Sequence, residues 1–221
     1  LDPENLAGLI ARVKSEGADL GIALDADADR IVAVTSDGEI VWPDQLLMLF
    51  AKDVVSRNPG SDVVYDVKCT RHLSGVISGF GGRPIICRSG HAFIKAKIRE
   101  TDAVLGGEMS GHICFSERWF GFDDGLYSGA RLLEIVGAQS DDLATLIGEF
   151  PVSVATPEIH VETSDDEKFG LVERIGALVA ERCGFRSQAL FGIDMIRDRR
   201  GEVWPIEINP RYTASMELLE R

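Results

Sequence analysis

The stretch Leu20-Gly21-Ile22-Ala23-Leu24-Asp25-Ala26-Asp27-Ala28-Asp29-Arg30 decides how this chain is read. Its first five residues are apolar or small and read as a buried strand. The next six set carboxylates at alternate positions and close on an arginine. Aspartate offers compact, charged oxygen donors. A short loop can therefore converge Asp25, Asp27 and Asp29 on one hard cation such as Mg²⁺, with water or a phosphate oxygen in the open positions. Arg30 then stands ready for the anion drawn to that metal. An acidic, solvated turn is the alternative on the same spacing. A strand that delivers its C-terminal loop to solvent favours the metal, because open α/β sheets build their sites there.

Upstream, Asp2-Pro3-Glu4 is a helix start: an Asp cap, proline at the first helical position and an acid in the first turn. Leu6, Leu9, Ile10 and Val13 repeat at helical spacing until Gly17. Downstream, a strand over 31–35, the turn Ser36-Asp37-Gly38 and a strand over 39–41 form a hairpin. From Asp44 the spacing predicts helices over 44–58, 73–80 and 92–100, alternating with strands over 63–65, 85–87 and 103–105. Such alternation implies right-handed βαβ crossovers, so the expected fold is α/β with a mainly parallel mixed sheet.

The loops after those strands hold Lys68-Cys69-Thr70-Arg71, Arg88-Ser89-Gly90-His91 and Gly107-Glu108-Met109-Ser110-Gly111-His112. They should meet at one sheet edge. Gly90-His91 opens a helix, where backbone N–H groups and an imidazole face an incoming anion. Glu108 and Ser110, between two glycines, form an acceptor and hydroxyl pair suited to sugar hydroxyls. Surface cations at Lys68 and Arg71, and a plain glycine turn at 107–111, are the alternatives.

The 221 residues hold 36 acidic against 23 basic side chains, a net charge of −13, with 45% hydrophobic and 27% charged residues. This balance repels nucleic acid. A phosphate ligand is still compatible, since a metal ion and a few local cations reverse the potential within one cleft. No apolar run reaches the length of a membrane span and the N-terminus lacks a secretory pattern, so a soluble, cytoplasmic protein is expected. Cys69, Cys87, Cys114 and Cys183 are scattered, which favours reduced structural thiols over a zinc site.

Together these segments resemble the α-D-phosphohexomutases, the phosphomannomutase/phosphoglucomutase family, along residues 1 to about 172. The resemblance puts Asp25, Asp27 and Asp29 on that family's Mg²⁺ loop, Asp-Gly-Asp-Ala-Asp-Arg, and Arg30 on its arginine. It puts Lys68 of Asp66-Val67-Lys68 on an active-site lysine, His91 on the histidine of a Gly-His loop, and Glu108, Ser110 and His112 on the sugar-recognition loop. Trp119-Phe120-Gly121-Phe122-Asp123-Asp124-Gly125 is a phrase typical of the family's third domain. The resemblance implies intramolecular phosphotransfer between hexose 1-phosphate and hexose 6-phosphate, an isomerase activity, through a phosphoserine. Arg30, Lys68 and His112 would be catalytic, His91, Glu108 and Ser110 would bind a mannose or glucose phosphate, and Mg²⁺ would be the cofactor. Ala26 departs from the family's glycine, and if that position needs positive φ it is strained by about 1 kcal/mol.

The resemblance divides the chain into the end of mutase domain II (1–38), domain III (39–150) and the start of domain IV or a junction (151–182). The remainder, 183–221, looks like something else. Phe191-Gly192-Ile193-Asp194 followed by Trp204-Pro205-Ile206-Glu207-Ile208-Asn209-Pro210-Arg211 resembles the C-terminal hairpin of ATP-grasp ligases. There Asp194, Glu207 and Asn209 would ligate a metal, and Arg211 would meet the phosphates of ATP. An extended segment over 158–163, an amphipathic helix over 165–181, a hairpin over 189–209 and a short helix over 214–220 are predicted. A phosphoserine loop has no match here and the chain starts at Leu1, so a fragment or fusion, inactive alone, is expected. Two other readings stay open: a fragment of an ATP-dependent carboxylate–amine ligase, and a non-catalytic sugar-phosphate-binding module.

Overall fold

The computed structural model describes residues 3–152, the positions 164, 167, 170 and 174, and the segments 192–197 and 203–209. The chain divides into one unit at Leu1–Ser153 and another at Val154–Arg221. The first opens with a 3-10 turn, Pro3–Leu6, and helix α1, Ala7–Glu16, ended by Gly17 at φ 64°. That left-handed position suits glycine and closes the helix through its N–H on Val13. Val13 and Leu6 are the buried members of the α1 stripe.

Strands β1 (Leu20–Leu24), β2 (Ile31–Thr35) and β3 (Ile40–Val41) form an antiparallel sheet in chain order. Leu24 pairs with Ile31, so the aspartate loop is a hairpin connection. The expected metal loop is thus presented by an antiparallel pair and not by the edge of the parallel sheet. Six residues cannot make a parallel crossover, which needs a dozen or more.

Helix α2 (Pro43–Arg57) starts with proline in its first turn, and the Gln45 side chain accepts the Trp42 N–H at 2.9 Å. Ten of its residues are buried, so it is a central core helix rather than a surface one. Strand β4 (Asp62–Asp66), helix α3 (His72–Gly79), strand β5 (Arg83–Cys87), helix α4 (His91–Thr101) and strand β6 (Leu105–Gly107) follow. With β7 (Ile113–Phe115) they build a sheet of order β5-β4-β6-β7, parallel except for the antiparallel β7. The mainly parallel mixed sheet is therefore present in this half. Strand β6 begins two residues later than expected, because Ala103 still closes α4 through its N–H on Ile98.

Strand β7 and helices α5 (Gly125–Gly137) and α6 (Leu143–Gly148) have no counterpart in the sequence reading. Both helices carry local signals. Asp124 caps α5 through the Tyr127 N–H, and Asp142 caps α6 through the Thr145 N–H. One apolar core joins Ile31 and Ala33 of the first sheet, α2, Val63, Tyr65, Leu105 and Phe115 of the second, and Leu132, Ile135, Leu143 and Leu146. The two sheets and their loops are thus a single packed body.

Cys69 and Cys114 are buried and Cys87 half-buried, all free thiols. Burial, then the charge of Asp123, pushes Cys114 up to about 12. Among the described residues no helix is long and apolar enough to cross a membrane.

In the second unit β8 (Gly192–Arg197) pairs antiparallel with β9 (Val203–Asn209), with an irregularity between Asp194 and Met195. The segment 158–163, the helix over 214–220, Cys183 and Arg211 lie outside the described residues. So does the helix over 165–181, except for Glu167, Gly170 and Arg174.

Candidate active site

The β1–β2 loop is pinned at both ends of its arginine. Arg30 forms a β-bridge with His112, and the Ile31 N–H donates to the Gly111 carbonyl at 3.1 Å. Gly125 donates its N–H to the Ala28 carbonyl at 2.8 Å. A Cβ at position 125 would stand 2.7 Å from the Arg30 carbonyl oxygen, so the approach requires glycine. The left-handed residue of the loop is Ala28, at φ 58°, and Ala26 is not among the positive-φ residues. The expected strain thus sits two residues further on.

Within this loop one oxygen from each of Asp25, Asp27 and Asp29 lies within 4.8 Å of the others. Asp25 accepts the Arg30 N–H at 3.2 Å, and its other oxygen is 3.2 Å from Arg30 Nε. Burial works to raise the Asp25 carboxyl, but the Arg30 N–H, a bond to Asp29 and the Arg30 guanidinium outweigh it and hold the group low. Asp29 is pushed up, first by burial and then by Asp25 and Asp27, against the pull of His112. Its Oδ1 is buried without a hydrogen bond among the described residues. Three converging carboxylates, with an Asp29 oxygen that accepts no hydrogen bond among the described residues and stands 3.7 Å from Arg30 Nε, fit a hard divalent cation. Oxygen-only donors favour Mg²⁺ or Ca²⁺ over the softer metals.

The loops after β4, β5 and β6 leave the same sheet edge, as parallel strands require. Asp66, the last residue of β4, ties them together and is 1% exposed. Its Oδ1 accepts the Met109 N–H at 3.1 Å and the Cys69 S–H at 3.0 Å, and its Oδ2 accepts the Ser89 hydroxyl at 2.7 Å. Glu108, also buried, accepts the Gly90 N–H on Oε1 and the Ser110 hydroxyl at 2.8 Å on Oε2. Glu108, Ser110 and the Gly90-His91 loop are therefore brought together. Lys68 is exposed, on the turn between β4 and α3 at this edge.

His91, the first residue of α4, stacks on His112 with ring centroids 4.9 Å apart and planes 18° from parallel. Asp123 joins them: its Oδ2 is 2.9 Å from His91 Nδ1 and 3.0 Å from His112 Nδ1. Lys95 donates to Asp123 Oδ1 at 2.7 Å and lies 3.0 Å from His91 Nδ1. Burial opposes the charge on Asp123, but Lys95, its own backbone N–H and His112 hold its carboxyl below the ordinary value. His112 Nδ1 is also 3.5 Å from Asp29 Oδ2. A continuous run of ionisable groups thus leads from Arg30 through Asp25, Asp29, His112 and Asp123 to His91 and Lys95.

Sequence reasoning missed Asp66, Asp123 and Lys95. Lys95 stands four residues after His91, a spacing that puts both on one helix face. Asp66 and Asp123 lay in phrases read for other residues. Asp194 and Glu207 are cross-strand partners in the second unit, and Asn209 pairs with Gly192.

The chain matches two consecutive family models: phosphoglucomutase/phosphomannomutase alpha/beta/alpha domain II over residues 1–38, and domain III over 42–153. A phosphomannomutase/phosphoglucomutase of Pseudomonas aeruginosa is 57% identical over 173 residues, covering 78% of this chain and 37% of that protein. The chain thus spans just over a third of that relative's length. The crystal structure of a phosphoglucomutase/phosphomannomutase family protein from Burkholderia thailandensis is 48% identical, with a TM-score of 0.73 over 80% of this chain and 37% of that one. Aspergillus fumigatus N-acetylphosphoglucosamine mutase, solved in complex with GlcNAc-6P and magnesium, shares the fold at 13% identity, with a TM-score of 0.55 over 90% of this chain and 50% of that one. With a domain III model spanning 42–153 and a domain II model before it, this chain belongs to the phosphoglucomutase/phosphomannomutase family.

Proposed function

We propose that this chain provides the metal loop and the sugar-recognition face of a hexose-phosphate mutase, for phosphotransfer between the 1- and 6-oxygens of a mannose or glucose phosphate. The observation that carries this reading is the continuity of the aspartate loop with the His112 loop through the Arg30–His112 bridge and the Asp29–His112 contact. Asp25, Asp27 and Asp29 would hold Mg²⁺, which supplies positive charge beside a transferring phosphoryl group. Arg30 and Lys68 add cations for the phosphate. His112 exchanges a proton with the sugar, and His91, Glu108 and Ser110 orient its hydroxyls. The fold relative that binds GlcNAc-6P and magnesium together supports the pairing of ligands.

The test is nuclear magnetic resonance of the labelled chain with millimolar glucose 1-phosphate or mannose 1-phosphate and Mg²⁺. Signals of His91, His112 and the Ser110 and Gly111 amides should move, whereas ATP alone should leave them. No movement with either sugar would overturn the reading. For the tail, a second reading is an ATP-grasp-type hairpin that meets a metal and ATP, for which the backbone register sets Asp194 opposite Glu207. Shifts confined to 192–209 on adding Mg²⁺ and ATP would support it.

A further inference from the structure

His112 is a candidate proton-exchanging group, and the state of its two ring nitrogens decides what it can do. Its Nδ1 is buried and has no regular hydrogen bond among the described residues. What surrounds that atom is two carboxylates, Asp123 Oδ2 at 3.0 Å and Asp29 Oδ2 at 3.5 Å. A lone pair on Nδ1 would face two acceptors, an arrangement that costs free energy and satisfies nothing. A proton on Nδ1 would face two negative oxygens. We propose that Asp123 is the positioning residue of His112: its carboxylate keeps the imidazole proton on Nδ1 and leaves Nε2 as the nitrogen with the free lone pair.

The surroundings of Asp123 suit this task. Its side chain is 7% exposed, and Lys95 holds Oδ1 at 2.7 Å, which leaves Oδ2 turned to the two imidazoles. The stack of His91 on His112 limits rotation of the ring. His91 is the contrasting case. Its Nδ1 lies 2.9 Å from Asp123 Oδ2 but also 3.0 Å from the Lys95 ammonium, so a donor and an acceptor compete for it. His91, His112 and Asp123 also have the makings of a metal site, with ligand atoms within 4.8 Å. Two imidazoles only 18° from parallel do not both hold one ion in their ring planes, and the Lys95 ammonium already stands beside Asp123 as the cation. A proton relay describes the cluster better than a metal.

The proposal rests on the hexose-phosphate reading only for what Nε2 does with its lone pair; the tautomer belongs to the protein alone. The test is a two-bond nitrogen–proton correlation spectrum of the ¹⁵N-labelled full chain, without ligand or metal. It is recorded about two pH units above the ordinary histidine value, where free rings are neutral. The His112 ring should show a protonated Nδ1 and an unprotonated Nε2. In Asp123→Asn, whose oxygen stays on Lys95 so that its amide N–H faces the ring, and in the double variant Asp123→Ala with Asp29→Ala, the proton should move to Nε2, the tautomer that free histidine favours. A wild-type His112 carrying its proton on Nε2 would overturn the proposal. So would either variant with a native amide spectrum and the proton still on Nδ1. Should both variants fail to fold, the wild-type spectrum decides alone. Absence of shifts on adding hexose phosphate would instead remove the substrate reading and leave the tautomer result standing.

Discussion

The aspartates of the β1–β2 loop and those at positions 66 and 123 are one side chain used in two opposite ways. Asp66 receives donors from a backbone N–H, a thiol and a hydroxyl, and Asp123 receives an ammonium on one oxygen and has two imidazoles beside the other. In the loop, Asp27 is exposed and accepts no hydrogen bond among the described residues, while Asp29 keeps a buried oxygen without one. The number of donors that reach a carboxylate separates an anchor from an open ligand. A saturated carboxylate holds protein groups in place, and an unsaturated cluster has capacity left for a cation.

The largest expected effect tests the anchor side. Asp66→Ala leaves the Met109 N–H and the Ser89 hydroxyl without their acceptor in a buried place and should cost about 3 kcal/mol. Asp66→Asn keeps an acceptor for Met109 and a donor for Ser89, so it should recover most of that loss. Asp27→Asn should change stability by less than about 0.5 kcal/mol without metal. Urea denaturation of the three variants checks this, and equal losses at 66 and 27 would break the comparison. Next comes Gly125→Ala, whose Cβ would meet the Arg30 and Ala28 carbonyl oxygens at 2.7 and 2.9 Å. Backbone cannot yield as a side-chain tip does, so a cost of about 2 kcal/mol is expected. A thermal midpoint unchanged from wild type would show that the loop is not held by this contact.

A smaller effect concerns the open side. Mg²⁺ at about tenfold its dissociation constant should stabilise the wild-type chain by about 1.4 kcal/mol. Asp27→Asn should gain clearly less from the same Mg²⁺. Denaturation curves with and without the ion check this, and an equal gain in both proteins would remove Asp27 from the site.

What was legible in the sequence divides along the same line. Alternate carboxylates after an apolar run are a local pattern, and strands alternating with helices are a local rhythm, so the loop and the β4-to-β6 layout could be read directly. The donors of Asp66 come from positions 69, 89 and 109, and the partners of Asp123 from 91, 95 and 112. Most are separations that no periodicity encodes, and only the folded sheet edge brings them together. The antiparallel pairing of β1 with β2 escaped for a related reason, since an apolar strand of five residues looks the same in either orientation. The positive φ at Ala28 was equally hidden, because nothing in the residue type distinguishes it from Ala26.

The smallest expected effect concerns Asp44, which stands between the two groups. It is 8% exposed and accepts the Thr70 N–H at 2.9 Å, so it anchors the turn that bears Lys68. Burial pushes its carboxyl up, backbone N–H groups pull it down, and the nearby charge of Asp66 pushes again, for a net rise. A carboxyl whose folded pKa lies above its unfolded value binds its proton more tightly in the folded chain. Stability from this group is therefore fully present at pH below the unfolded value and declines as pH rises through the folded one. Asp44→Asn keeps an oxygen for the Thr70 N–H and cannot ionise, so it should lack this decline. The stability of Asp44→Asn relative to wild type should grow as pH rises from the ordinary carboxylate value through the raised one, then level off. Urea midpoints of both proteins across that interval give the answer. A difference that shrank with rising pH would mean that ionised Asp44 has enough donors to count with Asp66 and Asp123, and the distinction between anchors and open ligands would have to be drawn by burial instead.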